Sequence, residues 1–223
     1  LRLVPGLELS CRWNELEIHV LGLAVTVEDA GLQTLAAANR AARRQRLAAM
    51  VERLEPQLGI DGLLEAVLTR SACPGRRHLA EELAQRGVVA SVAEAFRRHL
   101  GRGRGGYRPA DWAPLERAVE VVRAAGGVPV LAHPLAYGLS SGRLRALVAG
   151  FVAAGGQALE VITGPMPKDH SQRLLGLALR YGLAASAGSD FHVSDRRCRV
   201  PGQCAPLPAT VTPVWALFTQ GNA

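Results

Sequence analysis

A carboxylate and an imidazole stand two residues apart in Gly188-Ser189-Asp190-Phe191-His192, directly after the apolar run Leu183-Ala184-Ala185-Ser186-Ala187. A strand ending in such a turn aims both side chains, Asp190 and His192, into one pocket. The segment Val128-Pro129-Val130-Leu131-Ala132-His133-Pro134 repeats the arrangement, a short apolar strand with a His at its C-terminal end, where α/β barrels place their chemistry. Strand ends carrying hard and borderline ligands point to a metal site. Glu8, in Pro5-Gly6-Leu7-Glu8-Leu9-Ser10, and His19, flanked by Ile18 and Val20, sit at comparable places. Either one alone reads as a solvent-facing Glu or a hydrogen-bonded core His; as members of a set of five they read as ligands.

These residues need a scaffold that delivers strand ends to one rim. Leu1 to Leu9 reads as a strand running into a turn, and Glu17 to Val25 as a second, rich in β-branched and apolar residues. From about Glu28 to Leu100 the period becomes helical, with Leu35, Leu47, Val51, Leu54 and Leu58 along one long element. Gly59, Gly62, Pro74-Gly75 and Gly87 then punctuate shorter helices. After the run Gly101 to Gly106 the pattern alternates: helix 112–125, strand 128–132, helix 141–154, strand 157–162, helix 168–181, strand 183–187. Such alternation predicts parallel strands with helical crossovers, an α/β sheet or barrel with ligands at the strands' carboxyl ends. The predicted organisation is a sheet or barrel begun by residues 1–28, a helical lobe over 29–110, and the rest of the sheet or barrel over 111–223.

Composition sets the outer bounds. A chain of 223 residues, 48% of them hydrophobic, carries one sizeable core and a smaller appended unit. No apolar stretch approaches the roughly 20 residues of a membrane span, and Leu1 to Gly6 has no signal-peptide core, so a cytoplasmic location is expected. Cys11, Cys73, Cys198 and Cys204 form no CxxC pair, which fits reduced thiols. The balance of 26 basic to 19 acidic residues is almost entirely arginine, Lys168 being the one lysine. Guanidinium forks suit phosphate, so a phosphorylated or nucleic-acid substrate is compatible with the excess, as is a merely solvated surface.

Pro-Gly-x-Glu-x-Ser, Ile-His-x-Leu-Gly, Ala-His-Pro and Gly-Ser-Asp-Phe-His, in this order around a helical insertion, resemble the PHP (polymerase and histidinol phosphatase) phosphoesterases. The likeness covers essentially the whole chain. It is closer to the branch of 3',5'-nucleoside bisphosphate phosphatases that also act as 5'-to-3' exoribonucleases on short RNA. It implies a distorted (β/α)7 barrel, incomplete here, with a metal centre at its C-terminal mouth. In that centre Glu8 would bridge two metals, His19 and His133 would be imidazole ligands, and Asp190 and His192 the closing pair. Two or three divalent ions are implied, Mn²⁺, Zn²⁺ or Fe²⁺ rather than Ca²⁺, lowering the pKa of a water that attacks phosphorus without a serine or cysteine nucleophile. The family's opening His-x-His strand and Asp-His-Asp turn have no match. The resemblance therefore implies an absent N-terminal segment of about 60 residues, carrying roughly four of about nine ligands and about two strands.

By the same resemblance the helical lobe covers the site and supplies cations to phosphate. Gly75-Arg76-Arg77-His78 and Gly103-Arg104-Gly105-Gly106-Tyr107 match the family's patterns, making Arg76 and Arg104 phosphate clamps, His78 a substrate contact and Arg43 a further candidate. Where the family usually has an Arg shortly after His-Pro, this chain has Leu135-Ala136-Tyr137. Glu160 is expected behind a ligand imidazole; His99 and His170 are expected at the surface. The implied partner is a nucleotide or short RNA, with no membrane and no obligate protein partner. A basic RNA-binding module without turnover, or a truncated inactive fragment, are the alternatives; the 4% aromatic content argues against the first, since stacking platforms need rings.

Overall fold

Leu9 and Cys11 in one segment, and Ile18 and Val20 in the next, alternate with polar or smaller residues, and only Asn14 and Glu15 separate the two ladders. So short a connection returns the chain antiparallel. Asn14 takes the turn at φ 51°, a left-handed conformation that Asn tolerates. In the computed structural model, which describes residues 3–191 and 200–218, this hairpin is β1 (Gly6–Trp13) and β2 (Leu16–Leu23). The helices α1 (Ala30–Leu58), α2 (Leu63–Arg70), α3 (Arg76–Gln85) and α4 (Val92–Ala95) follow. Then come α5 (Leu115–Ala124), β3 (Val128–Leu131), α6 (Ser141–Ala153), β4 (Ala158–Thr163), α7 (Lys168–Arg180) and β5 (Ala184–Gly188).

The five strands form one mixed sheet in the order β1-β2-β3-β4-β5. The parallel order expected for the second half is present in β3, β4 and β5, whereas β2 runs antiparallel to both of its neighbours. The first strand also begins later and ends later than Leu1 to Leu9, because its ladder with β2 extends to Trp13 opposite Leu16.

Two compact units divide the chain, residues 1–35 with 113–223 and residues 36–112, the boundary falling within α1. In the first, helices α5, α6 and α7 cover one face of the sheet. There Leu9, Cys11, Ile18, Val20, Leu131, Leu159 and Ala185 meet Val119, Leu147, Phe151 and Leu174. The opposite face is built from small and polar residues: Val130, Ala158 and Ala184 under Val214, with Ser10, Glu160 and Ser186 buried beside them. In the second unit α1 to α4 pack around Met50, Leu54, Leu63, Leu79 and Leu83. Its glycine-rich run has a packing reason at Gly106, where a Cβ would stand 2.7 Å from Leu54 Cδ2 and 2.9 Å from the His99 carbonyl oxygen. His99, expected at the surface, is half-buried, and its Nε2 is covered.

Cys11 lies on the helix-covered face with no exposed surface, and burial, helped by the charges of Glu116 and Glu17, pushes its thiol up to about 12. Since the thiolate is the reactive form, Cys11 should resist an aromatic disulfide reagent at mildly alkaline pH. Cys73 and Cys204, both exposed, should react in the native chain. Mass mapping of the labelled sites before and after denaturation tests this; labelling of Cys11 in the native chain would contradict the assigned core.

Candidate metal centre

The polar face of the hairpin positions the first two ligands. Successive strand residues point to opposite faces, so Glu8 shares its face with Ser10, and Ser10 stands opposite His19 on β2. His133 arrives from the third strand, just beyond Leu131, the last β3 residue in the ladder with β2. Because β2 runs opposite to β3, His19 reaches this rim from the middle of its strand and not from a carboxyl end. Each of the three offers one ligand atom, and the three atoms lie within 4.8 Å of one another. Glu8 Oε1 is 2.5 Å from His19 Nδ1 and 3.0 Å from His133 Nε2, and those two nitrogens are 3.2 Å apart.

The three groups perturb one another's ionisation. Burial opposes the ionised form of Glu8, but hydrogen bonds and charge from His133 and His19 outweigh it and hold the carboxyl well below the usual range. His19 shows the reciprocal effect: burial disfavours its cation, and the Glu17 and Glu8 carboxylates outweigh that and raise its pKa. Glu17 Oε1 lies 3.9 Å from His19 Nε2, behind the ring. In a chain of net charge +7, the surroundings of these two imidazoles are acidic. One carboxylate oxygen and two imidazole nitrogens facing a common point are a donor set that fits a divalent transition metal.

Two side chains hold the third strand's end in place. Glu160, on β4, accepts the His133 backbone N–H at 2.6 Å; it thus holds the main chain of that residue and not, as expected, its ring. Burial pushes the Glu160 carboxyl up, against the pull of that hydrogen bond. A bulge interrupts the β4–β5 ladder between Glu160 and Ile162, a device that re-aims side chains beside sites. The Tyr137 hydroxyl accepts the His19 N–H and donates to the Ala132 carbonyl. Tyr137 and Glu17 had no role in the sequence reading. A Tyr one helical turn past a strand-end His was the available signal for the first, and period-two spacing from His19 for the second.

Asp190 follows β5 at φ 51°, and His133 follows β3 at φ 27°; both strand-end residues adopt a left-handed backbone that side chains seldom take. Asp190 is near enough to Glu160 for its charge to be felt there, but among the described residues it is not one of the group within 4.8 Å. His192 lies outside the described residues.

In the helical unit, Gly75 precedes α3, and its N–H donates to His78 Nδ1 at 3.1 Å. A Cβ at Gly75 would be 3.6 Å from Arg43 Nη1, so Arg43, Arg76 and His78 gather at the start of that helix. The Arg76 guanidinium sits 5.8 Å from the centre of the Tyr107 ring, and the Tyr107 N–H donates to the carbonyl of Arg104. Arg43, Arg76 and His78 are half-buried, and Arg104 is exposed. Arg46, which sequence reasoning passed over, is buried with its guanidinium 4.9 Å from the Trp112 ring centre.

No protein-family model matches the chain. It is 37% identical over 222 residues to the 5'-3' exoribonuclease Rnm of Escherichia coli, covering 99% of this chain and 75% of that protein. It is 34% identical over 213 residues to a 3',5'-nucleoside bisphosphate phosphatase of Chromobacterium violaceum, covering 94% and 74%. Among solved structures, an amidohydrolase from Chromobacterium violaceum with bound sulfate superposes with a TM-score of 0.88 at 32% identity, over 96% of this chain and 75% of that one. A chain assigned as a metal-dependent phosphoesterase from Bifidobacterium adolescentis superposes with a TM-score of 0.80 at 26% identity, over 99% and 78%. The chain belongs to the PHP family of metal-dependent phosphoesterases. Its relatives at this level of identity are hydrolytic enzymes of the exoribonuclease and bisphosphate phosphatase branch.

Proposed function

We propose that the chain hydrolyses phosphate esters of nucleotides or short RNA, at a centre of two or three divalent ions held by Glu8, His19, His133, Asp190 and His192. The observation that carries this reading is the convergence of Glu8, His19 and His133 on one point. The ions we assign are Mn²⁺, Zn²⁺ or Fe²⁺, and the support is the mixed nitrogen and oxygen donor set. The sheet belongs, in this reading, to a distorted (β/α)7 barrel in which residues 29–110 are inserted between two barrel segments. The five-stranded sheet and the 0.88 TM-score to a family neighbour support it. Free Cys11, Cys73 and Cys204 accord with a cytoplasmic location. No helix among the described residues is long and apolar enough to cross a membrane.

Bound divalent ions supply Lewis acidity and lower the pKa of a water. This chain's residues do the rest. Glu8 would provide an anionic ligand and His19 and His133 imidazole nitrogens, while Glu160 and Tyr137 hydrogen-bond the main chain of His133 and His19. Arg76 and Arg104, with Arg43 and His78, hold phosphate groups remote from the scissile bond, so that binding energy there positions the reacting ester.

Phosphate release from a nucleoside 3',5'-bisphosphate tests the reading. Release should stop on chelation and return with Mn²⁺, Zn²⁺ or Fe²⁺. Release indifferent to chelator would refute the metal mechanism, and salt-sensitive RNA binding without turnover would favour a binding module.

A further inference from the structure

The geometry points to Tyr137 and Glu160 as a two-strut clamp of positioning residues that sets the separation of His19 and His133 through the main chain. This inference rests on the metal-centre reading above. A ligand imidazole is usually oriented by a hydrogen bond from its second ring nitrogen to a carboxylate or carbonyl. His133 lacks that support: its Nδ1 is buried without a hydrogen-bond partner among the described residues. The sheet does not supply it either, because the β2–β3 ladder ends at Leu131 opposite Val20, and only one bond beyond it, from the Ala132 N–H to the His19 carbonyl at 3.1 Å, continues the pairing.

What remains is backbone. His133 itself sits at φ 27° and ψ 57°, a strained conformation that persists only where its surroundings fix it. Glu160 Oε2 fixes it from β4 by taking the His133 N–H at 2.6 Å. From the other side, a single 3-10 turn, Pro134–Tyr137, folds Tyr137 back over the strand ends. Its hydroxyl takes the His19 N–H at 2.8 Å and gives its proton to the Ala132 carbonyl at 2.9 Å. One oxygen thus ties the residue before His133 to His19 itself. The Tyr137 ring meets the His133 ring edge-on, with centres 5.5 Å apart. The phenol also occupies the stretch after His133-Pro134 where an arginine was expected, so this stretch serves the ligands' geometry here.

Mn²⁺ titration calorimetry and the visible absorption of the Co²⁺-loaded chain test the clamp on the full chain. Tyr137→Phe keeps the ring and removes the oxygen; Mn²⁺ affinity should fall about 10- to 100-fold and the Co²⁺ band should shift. Glu160→Ala should act in the same direction, and Glu160→Gln, which keeps an oxygen for the His133 N–H, should restore most of the affinity. The control Leu147→Val thins the helix-covered core, and should lower the melting temperature while leaving affinity and band unchanged. Wild-type affinity and an unshifted band in folded Tyr137→Phe would overturn the clamp, as would Glu160→Ala doing the same if Tyr137→Phe did not fold. A wild-type chain taking up neither Mn²⁺ nor Co²⁺ would instead refute the metal centre, and the clamp with it, before any substitution is compared.

Discussion

Alanine in place of Glu8 is expected to abolish divalent-metal uptake and, with it, metal-dependent phosphate release. Glu8 Oε1 contacts both imidazole nitrogens, and it contributes the only negative charge among the three converging ligands. Stabilisation of transition-state charge by a bound metal amounts to several kcal/mol, and each ~1.4 kcal/mol is tenfold in rate. A loss on the order of 10³-fold in turnover is therefore the expected result. The fold should survive, because Glu8 is on the polar face and a third of its side chain is exposed. Calorimetry with Mn²⁺, far-ultraviolet circular dichroism and turnover of a nucleotide ester are the three measurements. Wild-type turnover in a folded, metal-free variant would remove Glu8 from the mechanism. For Asp190 the better probe is Asn, because that residue sits at φ 51°, where Asn is tolerated and Ala adds strain unrelated to its carboxylate. The proposed ligand role predicts a loss of turnover in Asp190→Asn as well.

Removing two arginines should discriminate between substrates. Replacing Arg76 and Arg104 with Ala is expected to lower kcat/KM for a nucleoside 3',5'-bisphosphate roughly 100- to 1000-fold, since a charge-assisted hydrogen bond is worth about 1.5–3 kcal/mol. The same change should leave an aryl phosphate, which has no second phosphate, within about tenfold of wild type. Arg76 starts the helix at which Arg43 and His78 also gather and lies over the Tyr107 ring, and the Tyr107 N–H donates to the Arg104 carbonyl. Equal losses on both substrates would mean that the two arginines support the helical unit or a general field, and the clamp assignment would be withdrawn.

Much of the scaffold was legible because its signals are local. The β-branched and apolar run from Glu17 to Val25 marks a strand, β2, and the run from Leu35 to Leu58 marks one long helix, α1. The crossover helices α5, α6 and α7 fall within a few residues of their expected bounds for the same reason. Strand ends were less legible. β1 runs on to Trp13 because pairing with β2, a property of two segments, sets its length. His99 was misplaced because its cover comes from the surrounding packing, which no local pattern around it announces.

The amino-acid sequence by itself determined which groups could do chemistry and in what order they occur: the carboxylates and imidazoles at Glu8, His19, His133, Asp190 and His192, and the family whose motifs they form. Residue type fixes donor chemistry, and short motifs fix the local turns that expose it. Tertiary structure alone decided that three of these atoms meet within 4.8 Å, that β2 runs against its neighbours so that His19 comes to the rim from mid-strand, and that Tyr137 and Glu160 hold the meeting point. Those are contacts between residues up to 125 positions apart in the chain, set by strand register and by the closing of one 3-10 turn. Periodicity reports which face a residue is on; which distant residue it faces is fixed only when the strands pair.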